Sequence, residues 1–395
     1  MLKREFLFRK SSLFLNNLFK MCSTCTMPKK TYKKESNNVG FGLLKFFALV
    51  VVVMWGKRTV QKGDPLIYMI PNALLYTPFR ETTRAIWKVL EPRSRLPEKH
   101  EHPHIAEISR EEFSMEALKE CTSGFYHPCV VRGLFEGTPA MKKWGKKGYL
   151  NSHLGEFMVP YIRKADYGTR QDDRGIDKFS NIADDILTNS DSKKYLFFPV
   201  KSRFQFDGAA EGSMERLVEA INKMVHDDLE LSDRIWNGFA TNDVTHKNFF
   251  GSQLIMGRGS NSTSTTTGTG WHCAPGNNWF AQVAGAKRWY FMDPKYSSYM
   301  RTLRGGLVNM MAGTLDMGDY VDRLPLSYAD IRAGDMLYNP DWYWHTIQNR
   351  EGLSIGCPIR EVNMTLSYQN NAQYTGIITM NKIAQKLGID IGGYP

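Results

Sequence analysis

One stretch constrains this chain more than any other: Trp271-His272-Cys273-Ala274-Pro275-Gly276-Asn277-Asn278-Trp279-Phe280-Ala281-Gln282-Val283-Ala284-Gly285-Ala286-Lys287-Arg288-Trp289. It reads as a loop carrying a histidine, then a strand, a tight Ala284-Gly285 turn and a returning strand. A second histidine, His345, follows Asp341-Trp342-Tyr343-Trp344. Two histidines on neighbouring strands of a barrel can hold a metal, because imidazole suits iron, copper and zinc. By the two-residue period of a strand, Asn278, Phe280 and Gln282 share one face, and Trp279, Ala281 and Val283 the other. If the first face is the interior, its two amides are costly unless hydrogen-bonded, which favours a polar, ligand-holding cavity over a dry core. The competing reading of an amide in a strand is a solvent-facing side chain, at about even odds. A histidine among aromatics is more often a core residue than a ligand; its pairing with His272 tips His345 towards ligand.

The order of elements sets the fold class. Helical patterns come first and a run of short strands follows, which predicts a mostly β architecture: a small antiparallel barrel or double-sheet jelly roll with flanking helices. The folded domain is expected over 105–370, with a C-terminal tail over 371–395 in which Thr379–Gly388 could form a short helix. Ser109-Arg110-Glu111-Glu112 is a capping box and predicts a helix running through Phe113, Ala117 and Leu118. Pro128–Leu134 and Tyr195–Val200 read as strands, and Phe249–Met256 as one more. A short helix is expected near Ile182–Leu187. A longer one is expected over 213–225, with Met214, Leu217, Ala220, Ile221 and Met224 on one face.

The net charge of +11 is not spread along the chain. Thirteen Lys/Arg against two Glu fall within residues 1–62, so the tail carries all of it and the remainder is formally neutral. That argues against a basic nucleic-acid-binding domain. Residues 1–40 read as a basic, disordered tail and 57–104 as a proline-rich linker. Between them Phe41–Gly56 is apolar but shorter than the ~20 residues of a comfortable span. With lysines crowded before it, 41–56 predicts a single-pass signal anchor of the endomembrane system, N-terminus in the cytosol. The competing reading is a buried or interfacial helix. Behind a signal anchor the folded domain would face a lumen, and Asn261-Ser262-Thr263 and Asn363-Met364-Thr365 would be candidate glycosylation acceptors. Cys22 and Cys25 form an isolated C-x-x-C of little weight, and Cys121 and Cys129 are as readily a reduced buried pair as a disulfide. His100, His102 and His104 alternate in a polar stretch, where a solvated linker outweighs weak metal binding.

Residues 105–366 resemble the cupin-like JmjC hydroxylases that use iron(II) and 2-oxoglutarate. The spacing is particularly similar to that of the asparaginyl hydroxylase acting on hypoxia-inducible factor. The match rests on Thr269 three residues before the first histidine, then His272, Asn278, Gln282 and Lys287, and on the segment Gly334–His345. Pro128–Leu134 is similar to the family's opening strand. The resemblance implies a double-stranded β-helix with His272 and His345 as metal ligands. It also implies a cofactor-binding set of Thr269, Asn278, Gln282 and Lys287, with Lys287 and Thr269 on the distal carboxylate of 2-oxoglutarate. Trp279, Trp289, Trp342 and Trp344 would shape the walls. Two positions depart from the pattern. The family's acidic ligand falls at Ala274, and Pro358 stands where the asparaginyl hydroxylase has an asparagine. Three outcomes follow: hydroxylation of an unknown substrate, a protein side chain or small molecule, at an H-x-A…H site; halogenation, with a halide filling the position beside Ala274; or a catalytically inactive, membrane-tethered binding protein. Neither Asp293 nor Asp341 is close enough in sequence to replace the acid, and Cys273 alternates away from His272.

Overall fold

The structure, a computed structural model, describes residues 101–162, 174–197, 213–236, 249–259, 267–300, 313, 322, 324–350 and 352–386. The basic tail, the 41–56 segment, residues 57–100 of the linker, Cys22, Cys25 and Asn261-Ser262-Thr263 lie outside the described residues. Among those described, no helix is long and apolar enough to cross a membrane.

The frame is two β-sheets. The larger one runs β1 (Ala106–Ser109), β2 (Cys129–Arg132), β12 (Met336–Asn339), β9 (Asn277–Ala284), β14 (Gly352–Glu361), β7 (Ile255–Gly259), β5 (Tyr195–Phe197), β3 (Met158–Ile162) and β4 (Arg174–Lys178), with β6 (Phe249–Ser252) also on β14. The smaller runs β11 (Leu326–Arg332), β10 (Ala286–Met292), β13 (Trp344–Asn349) and β8 (Gly268–His272). Apart from the parallel β1–β2 pair, the strand pairs are antiparallel. This is the mostly β jelly roll expected from the order of elements.

Alternation along the strands separates two apolar layers. Val130, Leu337, Phe280 and Ile255 of the large sheet pack with Trp289, Phe291, Ala329, Ile331 and Ile347 of the small one, forming the core between the sheets. The opposite face of the large sheet carries Val131, Met336, Trp279, Ala281, Ile355 and Ile359, and these pack under the helices. α1 (Met115–Cys121) contributes Leu118, α2 (Pro139–Lys143) Ala140, α3 (Tyr149–Leu154) Leu150 and Leu154, α4 (Phe179–Thr188) Ile182 and Ile186, α5 (Ser213–Asp228) Leu217, Ile221 and Met224, and α6 (Leu231–Arg234) Leu231. The three from α5 belong to the face predicted for that helix, spaced as one stripe of a 3.6-residue period. A third cluster covers the outside of the small sheet. There Trp271, Met292, Trp342 and Trp344 meet Tyr374 of α7 (Met364–Lys386).

Several local expectations are corrected. Ser109 and Glu112 do make the reciprocal capping-box bonds, at 2.9 and 3.3 Å. They close a turn, however, and the helix begins at Met115, where the Ser114 hydroxyl accepts from Ala117 N. The Ala284-Gly285 turn does not make a hairpin. β9 pairs with β12 and β14, and β10 with β11 and β13, so Gly285 is a corner where the chain passes from one sheet to the other. Gly285 has φ +68°, and a Cβ there would lie 1.9 Å from the Leu353 carbonyl oxygen. The strand expected over Phe249–Met256 is two strands, broken at Gln253-Leu254. The break faces Pro358 of β14, which has no N–H to give to a neighbouring strand, and Gln253 N donates instead to the Pro358 carbonyl. The C-terminal helix begins at Met364, not near Thr379, with the Asn363 side chain accepting from Leu366 N and a kink at Asn371. Cys121 and Cys129 are joined as a disulfide between α1 and β2.

Candidate functional site

The two histidines come from the strand pair β13–β8, where His345 and His272 stand opposite each other. Their ring centroids are 4.1 Å apart. Each Nδ1 lies 2.8 Å from a carbonyl of its own chain, Gly270 O for His272 and Tyr343 O for His345. An Nδ1–H donated there leaves Nε2 with its lone pair, the tautomer that a metal-binding imidazole needs. Burial lowers the His272 pKa to about 4. His345 is held well below the usual range, by burial first and by its neighbour His272 second. Both rings are therefore neutral at pH 7. Trp289 stacks on His345 at 5.2 Å and 25°.

Three inward rows of the small sheet lead away from this pair. The first holds Phe291, His345 and His272; the second Trp289, Ile347 and Thr269; the third Ile331, Lys287 and Asn349. Thr269 thus lies one row from the histidines and Lys287 two. The Thr269 hydroxyl is buried with no hydrogen-bond partner among the described residues. Lys287 is fully buried. Its Nζ donates to Asn349 Oδ1 and lies 5.9 Å and 6.0 Å from the ring centroids of Tyr195 and Phe280. The Asn349 amide passes the contact on to Thr267 Oγ1 at 2.6 Å. With a neutral amide as acceptor and no carboxylate, burial pulls the Lys287 ammonium down to about 7.

The facing sheet supplies the other two predicted amides. Gln282 donates from Nε2 to the Ala284 carbonyl and to Ser354 Oγ, at 2.7 and 3.1 Å, while its Oε1 is buried with no partner among the described residues. Asn278 is buried in a row that crosses three strands, Asn339 on β12, Asn278 on β9 and Arg360 on β14. Asn339 Nδ2 lies 3.3 Å from His345 Nδ1, so this row meets the histidine pair.

Ala274 stands two residues beyond His272, in the loop between β8 and β9, and is held through its main chain. Its carbonyl accepts from Trp342 N at 3.0 Å. Trp342 has φ +62°, an unusual conformation for a large side chain, and its indole N–H donates to Thr375 Oγ1 of α7 at 2.8 Å. The neighbouring Asp341 is fully buried. Its carboxylate accepts from Gly276 N and from Ser367 Oγ, tying loop, turn and helix together. Burial raises its pKa to about 7. Among the described residues no three His, Cys, Asp or Glu side chains are grouped so as to hold a metal. Cys273 belongs to the apolar cluster outside the small sheet, where burial keeps it a thiol.

Of the four tryptophans expected as walls, only Trp289 faces the space between the sheets. Trp279 packs on the helix side, its indole N–H donating to Glu361 Oε2 at 2.9 Å, and Trp342 and Trp344 lie outside the small sheet. The 3.6-residue spacing of helices plays no part here; parity along each strand decides. The same parity would have found Arg360, which sits two residues from Pro358 and four from Gly356 on the inward side of an apolar strand. His104 is exposed, edge-on to Tyr328 at 5.1 Å.

Residues 117–368 match the cupin-like domain family. No curated protein sequence matches the chain.

Proposed function

We propose, from the premise that the chain belongs to the cupin-like domain family, that it is an iron(II)- and 2-oxoglutarate-dependent oxygenase hydroxylating an anionic or neutral small molecule or a protein side chain. The observation that carries this is the pairing of two neutral imidazoles, Nε2 unengaged, with a buried lysine two rows deeper between the same sheets.

The donor set fits such a cofactor pair in most respects. His272 and His345 would hold the metal. Lys287 is buried beside a neutral amide, an arrangement that costs free energy until a carboxylate joins it. The partnerless Thr269 hydroxyl, one row nearer the metal, suits the same carboxylate. The fit is incomplete at Ala274, where the family's acid would be; no described carboxylate takes its place. Bound together, the metal and keto acid would supply oxidative cleavage of 2-oxoglutarate to succinate and hydrogen abstraction from the substrate. The chain's own part is to hold both imidazoles neutral, to keep Trp289 packed on His345, and to donate a hydrogen bond from the Lys287 ammonium to the distal carboxylate. A halide beside Ala274, with halogenated product, is the second chemistry this donor set would support. We also propose that the domain faces the lumen of the endomembrane system behind the 41–56 anchor; the Cys121–Cys129 disulfide suits an oxidising compartment.

Anaerobic titration with iron(II) and 2-oxoglutarate tests the reading. A metal-to-ligand charge-transfer band that His345→Ala abolishes supports it. Absence of the band, with no succinate formed in air, leaves the fold as a binding protein. Product mass spectra with chloride or bromide present separate hydroxylation from halogenation.

A further inference from the structure

Arg360 plays no part in holding iron or 2-oxoglutarate in that reading, yet its guanidinium is buried at the histidine end of the same space. The residue is 7 % exposed. It closes the inward row Asn339–Asn278–Arg360, whose other end touches His345. Nε donates to Gln253 Oε1 at 3.3 Å, which sets the plane of the guanidinium. Among the described residues its two terminal nitrogens donate to nothing. Asn278 beside it makes no side-chain hydrogen bond to a described residue, and its carboxamide oxygen is buried.

The charges around it do not neutralise it by contact. The charge of Asp341 acts on it, but each Asp341 oxygen already accepts a hydrogen bond, from Gly276 N and from Ser367 Oγ. Glu361 points to the other face, towards Asn277 and Trp279. With alanine at 274, no acid among the described residues stands beside the histidine pair to offset the guanidinium. A buried cation lacking a hydrogen-bonded anion is strongly unfavourable, so the site gains most from a ligand that brings one. The open side of a guanidinium is a planar fork, which matches a two-oxygen edge and not a spherical halide.

We infer that Arg360, with Asn278 as a second donor, binds an oxyanion group of the substrate, a carboxylate or a phosphate, beside the histidine pair. The substrate is then an anionic molecule held by its charged end, with the bond to be oxidised a short distance from that end. This rests on the proposed oxygenase reading for its chemistry but not for the binding itself.

The test uses the purified full chain without metal, saturated with 2-oxoglutarate, and titrated calorimetrically with acetate and with inorganic phosphate. One anion should bind in addition to 2-oxoglutarate. Arg360→Gln should weaken it at least tenfold, and Arg360→Lys less, since it keeps charge and loses the fork. The stronger of the two probes tells carboxylate from phosphate. The 2-oxoglutarate affinity should be unchanged in Arg360→Gln and lost in Lys287→Met. Should Arg360→Gln fail to fold, Asn278→Asp, which puts a negative charge beside the guanidinium, should abolish binding of the same anion. The inference is overturned if neither anion responds to these changes, or if Arg360→Gln removes 2-oxoglutarate itself. If 2-oxoglutarate binds no better with Lys287 than without it, the oxygenase reading fails while Arg360-dependent anion binding stands.

Discussion

The main-chain N–H of Trp342 donates to the carbonyl of Ala274 at 3.0 Å, so position 274 is held through its backbone. Trp342 is itself braced in a left-handed conformation by Thr375, and the loop by Asp341. None of these bonds involves the side chain at 274, so a substitution there leaves each of them in place. Ala274→Asp should leave the melting temperature nearly unchanged and bring a carboxylate beside two neutral imidazoles. Iron(II) affinity should rise at least tenfold, equivalent to about 1.4 kcal/mol. Competition with a chromogenic chelator reads it directly. An unchanged affinity would mean that position 274 does not face the metal.

Lys287 gives the apo protein a pH signature. Its folded pKa is depressed by burial to about 7 from an ordinary value of 10.5. Between those values the unfolded chain holds a proton that the folded chain does not, so stability rises with pH in that window. Below pH 7 both states are protonated and the slope vanishes. His272 acts in the same sense, but only between about pH 4 and 6.5, and Asp341 in the opposite sense below about 7. The buried thiols begin to act above their ordinary value of 9.0, leaving pH 7–9 as the window in which Lys287 dominates. Denaturant melts across that window should gain up to about 1.4 kcal/mol per pH unit. In Lys287→Met the gain should disappear. Binding of 2-oxoglutarate at pH 8 should take up close to one proton, seen as a dependence of the calorimetric heat on the buffer's ionisation enthalpy.

How far the sequence discloses this molecule depends on the kind of information asked of it. Parity along β9 groups Asn278, Phe280 and Gln282 on one face, and it takes the pairing of the sheets to show that this face is the interior. Local pattern could not say that Ala284-Gly285 turns a corner between sheets; a hairpin and a corner have the same glycine, and only pairing tells them apart. Trp279 was assigned to the wall although its own parity places it outside, where it fills the helix layer. Arg360 and Asn339 belong to no local motif, because each lies in an apolar strand whose other residues look like ordinary core. What brings them to the histidines is the alignment of β12, β9 and β14, a relation between segments far apart in the chain.

The Cys121–Cys129 bridge closes a short loop, with a sequence separation of 8, between α1 and β2. Loop-closure entropy for so short a ring amounts to about 2.5 kcal/mol. Cys121→Ser should lower stability by about that amount when the wild type is oxidised, and by far less when both are measured under reducing conditions. Cys129 is fully buried, so Cys129→Ser adds the cost of burying a hydroxyl and should be the worse of the two. Equal melts with and without reductant in the wild type would show that the pair is not bridged.

Gly285 is the corner on which the facing of the two sheets depends. At φ +68° a residue with a side chain is strained, and here the space is also taken, since a Cβ would come within 1.9 Å of the Leu353 carbonyl oxygen. That carbonyl belongs to β14, the central strand that carries Arg360, while the residue two after the corner is Lys287 on β10. Shifting the corner would therefore move the two sheets, and the two cationic side chains, relative to each other. Gly285→Ala should cost more than the ~1 kcal/mol of backbone strain alone, about 2–4 kcal/mol once the clash is counted. Urea denaturation measures the loss. If the variant folds, its 2-oxoglutarate affinity should drop by more than that of Gly137→Ala. Gly137 also has positive φ, but a Cβ there meets nothing within 4 Å, so this second variant isolates strain from displacement of the site.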